Sequence, residues 1–349
     1  MTKRRIFGSI SAQHDNLGDI AIRSVFFRSL ELSEVPLTLL TGRMPKSYVD
    51  LFDFSEKVEL ISSPIRFQMH LLKAAIKGKA DLVYAPGPHL LSDSFACLAK
   101  TALMLANIAL IRSTGGGVQT AGRALRGPGR MARYLERKLV SSSKLYVVRD
   151  SVSGSVIGLD LRSAPDLAFG RQIIPRTNPR GLVSCSFRSD TPINKDTFRR
   201  VVQKLTASGF EVVLVSQVKR DDFQHQKLAQ EFALRALLWG ENTHSEQQRV
   251  VDSTYAASHA VISNRLHGLI FGIMAGAIPV EYRIGSSDKI RSTLSPWFKS
   301  LPVIEDDGQD ILPEGIVEQV SEHFSAAVLQ AQSKVNEVLA EFAESPQRP

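Results

Sequence analysis

Two arginines and a histidine stand where a chain could grip an acidic substrate. The run Ser263-Asn264-Arg265-Leu266-His267-Gly268 closes a β-rich stretch, and from Leu269 onward the residues read as a helix. Arg265 and His267 are therefore expected on a strand-to-helix loop or in the helix's first turn. Free backbone N–H groups and partial positive charge gather there and favour phosphate or carboxylate. The helix end opposes an imidazolium while a bound dianion supports it, so ligand and helix compete over the proton state of His267. Ser186-Phe187-Arg188 ends another apolar run, which puts Arg188 at the same kind of carboxyl edge. Two guanidinium groups arriving from separate strands would make a planar, bidentate clamp.

Two glycine-bearing loops are further candidates. Asp15-Asn16-Leu17-Gly18-Asp19 follows the first apolar run and opens the first helical one. Gly18 allows close backbone approach, and Asp19 is read as the cap of that helix. The segment lacks a G-x-G-x-x-G fingerprint. Ser113-Thr114-Gly115-Gly116-Gly117-Val118-Gln119 is read as leaving a strand at its carboxyl end, with backbone N–H groups free for an anion or for tight approach. No Lys-Ser/Thr follows, so it is not a P-loop. Pro86-Gly87-Pro88-His89 is a related loop after the preceding strand.

These residues need an α/β scaffold, and the patterning predicts one. Strands are expected over 5–10, 37–40, 58–61, 82–85, 109–113 and 145–148, with helical spacing over 20–30 and 129–140. A second series follows: strands over 182–187, 211–215, 236–239, 260–263 and 278–282, and helices over 195–207, 222–232, 250–257 and 268–275. Such alternation argues for βαβ units and parallel sheets. The expected fold is two Rossmann-like doubly wound domains facing a cleft. The linker is expected in Gly170–Pro179, with an N-terminal domain over 1–172 on the acceptor side and a C-terminal domain over 173–312 on the donor side. A final helical tract, 314–343, carries Val317, Val320, Phe324, Val328 and Val335 on its apolar side. Residues 313–349 are expected to pack back on the N-terminal domain and end in a loose tail.

Composition narrows the class. Apolar residues make up 43% and charged residues 22% of the 349, ordinary globular usage. Forty-three Lys+Arg against 35 Asp+Glu leaves +8, a surplus that attracts anions: phosphorylated small molecules, anionic lipid or nucleic acid. Nucleic acid is disfavoured, because no basic run is interleaved with aromatics. Two cysteines, Cys97 and Cys185, are too few for a disulfide framework and suit a reducing compartment; Cys185 is read as a buried thiol. The histidines show no H-x-x-x-H pair, so no metal site is expected, and no G-x-S-x-G elbow occurs. No leader is visible, and the apolar run 95–111 is read as a buried helix entering a buried strand rather than a membrane span. A cytoplasmic protein is expected, with peripheral contact at the inner face of an anionic membrane suggested by the charge.

Taken in order, several of these residues resemble the polysaccharide pyruvyl transferase family: Asn16-x-Gly18-Asp19, Arg149-Asp150-x-x-Ser153, Pro165-Asp166-Leu167-Ala168-Phe169, Arg265-Leu266-His267-Gly268 with Gly276-x-x-Pro279, and Lys289 downstream. The likeness runs from about residue 5 to about 295. It departs where the family has a glycine run after the fourth strand, since this chain reads Pro86-Gly87-Pro88-His89. The resemblance implies a GT-B-like transferase that moves the pyruvyl group of phosphoenolpyruvate onto a sugar of a polysaccharide or its lipid-linked precursor, without cofactor. It implies His267 and Asp19 as catalytic, with Arg188, Arg265, Leu266, Gly268 and Lys289 holding the donor. Asn16, Gly18, Gly115, Gly116 and Gly117 are expected on the acceptor side or in a loop, the three successive glycines standing where the family more often has Gln-Gly-Ile-Gly. Two other functions fit the residues: a GT-B glycosyltransferase using a nucleotide sugar, with Glu281 as its ribose carboxylate, and a non-catalytic anion-binding or scaffold protein of exopolysaccharide assembly.

Overall fold

Two parallel sheets, each wrapped by helices, account for nearly every apolar run in the chain. The computed structural model describes residues 4–177, 181–285, 289–299, 301–307 and 322–344. It divides into two compact units: Met1–His14, Asp19–Leu167 and Ser333–Pro349 form the first, and Asp15–Gly18 with Ala168–Gln332 the second.

The first unit is built on β1 (Arg5–Ser9), β2 (Leu37–Leu40), β3 (Glu59–Ile61), β4 (Ala80–Tyr84), β5 (Gly87–Leu90), β6 (Val118–Arg126) and β7 (Leu145–Val148). All pair in parallel, in the order β3-β2-β1-β4-β6-β5, with β7 also on β6. Side chains alternate across the sheet. Phe7, Leu82 and Tyr84 meet Phe67 and Leu71 of helix Pro64–Ile76 and Ile108 and Ile111 of helix Phe95–Ser113. Gly8 and Val83 face the other way, under Phe27 of helix Leu17–Leu32. The helix Glu322–Glu344 ends in this unit, where Phe342 meets Phe26 edge-on at 5.6 Å. Val317 and Val320 of the expected tract lie outside the described residues.

Two expectations fail here. Residues 109–113 are not a strand but the last turns of helix Phe95–Ser113. Its Ala, Leu and Met content favours helix, and an apolar run cannot be assigned by periodicity alone. Nor is that helix buried: only 17% of its most apolar window is covered. The strand lies further on, as β6, where Gly122, Arg123 and Arg126 disguise it. Arg123 is buried there because Glu136 pairs with it at 3.0 Å.

The second unit holds β8 (Leu182–Ser186), β9 (Glu211–Val215), β10 (Arg235–Leu237), β11 (Ser258–Ser263), β12 (Ile278–Arg283) and β13 (Val303–Glu305), in the order β10-β9-β8-β11-β12-β13. The inner strands are near-continuous apolar runs because helices cover both faces. Val183, Cys185, Val212, Leu214, Ala260, Ile262 and Val280 pack against Phe198, Val201 and Leu205 of helix Lys195–Ala207. Full burial of each such side chain contributes about 1.5–3 kcal/mol. Chain order reverses beside β8, since β9 lies on one side and β11 on the other. In open α/β sheets such a switch point, at the carboxyl ends of the strands, is where ligands bind.

Candidate active site

Strand register brings the two arginines together. Ser186 of β8 pairs with Ser263 of β11, and Arg188 and Arg265 each follow two residues later. Both therefore leave neighbouring strands of one sheet at its switch point. Arg265 is the N-cap residue of helix Leu266–Met274, and His267 is the second residue inside it. The Ser263 hydroxyl accepts from the Arg265 amide (2.9 Å) and donates to the Ser186 carbonyl (2.6 Å). Gly268 faces that hydroxyl, and a Cβ there would lie 2.7 Å from it. Leu266 is buried, so its side chain serves the core and only its amide can address a ligand.

Each arginine brings a carboxylate. Arg265 grips Asp221 through Nε and Nη2, the latter at 2.6 Å, and Asp221 is fully buried. The same carboxylate accepts from the Ser189 amide at 3.0 Å. Arg188 holds Asp190 through Nε (2.7 Å) and Nη2 (2.6 Å), and that bond to Arg188 drives the Asp190 carboxyl far below its ordinary range. The Arg188 amide donates to Asn264 Oδ1 at 2.8 Å. The expected open clamp of two bare cations is thus a pair of oriented ion pairs. In both, the carboxylate takes the Nε side of the guanidinium fork and no described residue bonds Nη1, which leaves N–H groups for an incoming anion.

Asp221 and His225 went unforeseen. His225 is fully buried, its Nε2 2.9 Å from the Phe187 amide and Nδ1 2.9 Å from Ser216 Oγ. Burial lowers its pKa to about 4, so it is neutral. The Phe187 amide can only donate, which fixes the ring proton on Nδ1, toward Ser216. His225 thereby ties the end of β8 to the end of β9. Asp221-Asp222 reads in sequence as ordinary helix capping, with no signal pointing to Arg265.

The loop after β1 completes the corner. Asp15–Gly18 belongs to the second unit: Asn16 bridges to Val218, the Lys219 amide donates to the Asp15 carbonyl at 2.9 Å, and the Leu17 amide donates to the Gln217 carbonyl. Asn16, not Asp19, caps helix Leu17–Leu32, its Oδ1 accepting from the Gly18 amide at 3.0 Å. Asp19 lies inside that helix, buried, and belongs to the first unit. The His267 ring rests on Gly18. A Cβ there would lie 2.6 Å from His267 Cβ and closer still to the ring's Cγ and Nδ1, so the glycine is what seats the imidazole.

Other candidates fall elsewhere. Gly115, Gly116 and Gly117 follow helix Phe95–Ser113 and enter β6 at its amino end, the edge opposite to the one expected. The misassigned strand before them is the cause. Pro88 and His89 lie within β5 rather than in a loop. Lys289 opens helix Lys289–Leu294, and its side chain lies outside the described residues. Glu281 is buried and bound to Arg283 at 3.1 Å. Arg149 pairs with Asp166 in the buried interior at 2.9 Å, and Asp150 accepts from the Ser153 amide and hydroxyl and from Arg126. Those residues are architectural.

A family model described as polysaccharide pyruvyl transferase matches residues 52–277, more than half of the chain. No curated protein matches. Among solved structures, a glycosyltransferase from Rickettsia africae is 12% identical with a TM-score of 0.60, over all of both chains. Anabaena HepE, solved with UDP and glucose, is 12% identical over 99% of this chain and 100% of that one, TM-score 0.60. The UDP-GlcNAc 2-epimerase of Neisseria meningitidis, bound to UDP-GlcNAc, is 10% identical over 98% and 100%, TM-score 0.57. At such identities the likeness is one of fold, the two-unit α/β architecture of GT-B glycosyltransferases.

Proposed function

The chain belongs to the polysaccharide pyruvyl transferase family, and on that footing we propose that it transfers the pyruvyl group of phosphoenolpyruvate to a sugar of a polysaccharide or its lipid-linked precursor. The observation that carries this reading is the corner at the β8/β11 switch point. Arg188 and Arg265 stand there beside a helix N-terminus, with His267 in its first turn. Phosphoenolpyruvate carries a phosphate and a carboxylate, and two arginine forks plus backbone N–H groups suit both.

The reaction needs an acid. A proton adds to the methylene carbon of the enol phosphate while a sugar hydroxyl attacks the adjacent carbon. Phosphate then leaves, a second hydroxyl closes the ketal, and the two hydroxyl protons balance the new methyl hydrogen and the phosphate. His267 is the group we assign to the first proton. Asp19 is the second catalytic candidate, and Leu266, Gly268 and Lys289 complete the donor side. The reaction is proposed to run in the cytoplasm, where its donor is made available by metabolism.

A nucleotide-sugar donor is less well served, because the Glu281 carboxylate needed for a ribose is already committed to Arg283. Phosphate release from phosphoenolpyruvate across free and lipid-linked oligosaccharides tests the assignment, together with thermal melting in each donor. Stabilisation by a nucleotide sugar but not by phosphoenolpyruvate, without phosphate release on any acceptor, would overturn it.

A further inference from the structure

Three neighbouring helices of the first unit carry an outward face unlike that of an ordinary soluble domain. Helix Phe95–Ser113 packs on Pro64–Ile76 to one side and on Arg130–Ser142 to the other, and sits on β4 and β6. The inner sides supply Phe67, Leu71, Ile108, Ile111 and Leu139 to the core. The outer sides should then be polar and of mixed charge. Instead Ile65 is 74% exposed, Ile76 70%, Phe95 88% and Leu103 56%, with Met69 and Met131 also exposed. Arg66, Lys73, Lys100, Arg112, Arg137 and Lys138 are exposed among them. The single acidic residue in the three helices is Glu136, which is buried against Arg123. Part of the surplus of eight positive charges is therefore concentrated on one apolar face.

We propose that this three-helix face docks the protein on an anionic lipid bilayer. Apolar side chains interspersed with cations, with no exposed carboxylate on the three helices themselves, match an interface in which acyl chains lie beneath negative headgroups. Of the carboxylates at their margins, Asp93 is held by the Arg130 and Ala132 amides and Glu59 by His70. Helix Phe95–Ser113 is long and apolar enough to cross a membrane by length and composition. It lies in the plane instead, because Ile108 and Ile111 on its inner side are part of the sheet's core and withdrawal would expose both. A second copy of the same face is a poor occupant, since a two-fold contact would set cation against cation.

Flotation of the full chain tests the proposal. Vesicles of equal parts phosphatidylglycerol and phosphatidylethanolamine are compared with pure phosphatidylcholine at low and high salt. The chain is expected to float with the anionic vesicles alone and to be partly released by salt. Phe95→Asp with Leu103→Asp, and separately Arg137→Glu with Lys138→Glu, should each lower the partition coefficient at least about tenfold. Lys204→Glu with Lys227→Glu, exposed positions of the second unit, make an equal change of charge and should alter it less than about twofold. Unchanged melting temperatures certify the folds. Failure of the wild type to float, wild-type binding by the face variants, or equal loss in the control would overturn the proposal. So would a dimer in sedimentation that Phe95→Asp dissociates. No donor or acceptor enters the assay, so its outcome is independent of the group transferred.

Discussion

Gly18→Ala separates the position of His267 from its chemistry, because it adds one methyl group against the imidazole and neither adds nor removes a titratable group. The new Cβ would lie 2.6 Å from His267 Cβ and nearer the ring, whereas carbon atoms rest at about 3.5–4.0 Å. The loop cannot yield easily: Asn16 is bridged to Val218, Leu17 bonds Gln217, and the Gly18 amide bonds Asn16 Oδ1. The imidazole must therefore move by about 1 Å. A misplacement of that size costs on the order of 10²-fold in a positioned proton transfer, and overpacking costs about 1–3 kcal/mol of stability. Single-turnover phosphate release and calorimetric donor binding read the two effects apart. Turnover should fall about 100-fold with the donor dissociation constant changed less than about threefold. His267→Gln should lose about 10²–10⁴ and also the alkaline limb of the kcat profile. The double variant should be no slower than His267→Gln alone, since both remove one function. Normal turnover in Gly18→Ala, with an unchanged alkaline limb in His267→Gln, would mean that His267 is structural and that the acid lies elsewhere.

Arg188→Ala and Arg265→Lys should each weaken phosphoenolpyruvate binding by about 1.5–3 kcal/mol, roughly 10- to 150-fold; calorimetric constants equal to the wild type in both would remove the donor from this corner. Asp221→Asn leaves a largely buried Arg265 cation without its partner and should cost about 3 kcal/mol in urea unfolding, so an unmoved midpoint would mean that the ion pair contributes nothing to the fold. Burial holds His89 and His225 near pKa 4, below the ordinary value of about 6.5. Between those values the unfolded chain binds more protons, so stability is complete above about pH 6.5 and is lost as pH falls through 4, by up to roughly 3 kcal/mol per histidine. A flat stability profile across that window would contradict their burial, and His225→Gln should shallow the slope.

The sequence by itself determined the α/β class and most of the second unit. The strands over 211–215 and the helices over 195–207 and 222–232 were readable to the residue, because period and β-branching set which local conformation buries apolar surface. It also determined that Arg188, Arg265 and His267 follow strand ends, since turn chemistry is local. Helix Phe95–Ser113 was half misread for the opposite reason. A run apolar on most sides satisfies either period, and its exposed face has no counterpart in a rule that assigns apolar residues to the core. Only the tertiary structure decided that β8 lies beside β11 with Ser186 opposite Ser263, that Asp221 meets an arginine 44 positions later, and that His267 rests on Gly18. Those facts depend on strand order and side-chain packing between distant segments. Patterning says that a face must be covered, but long-range packing chooses what covers it.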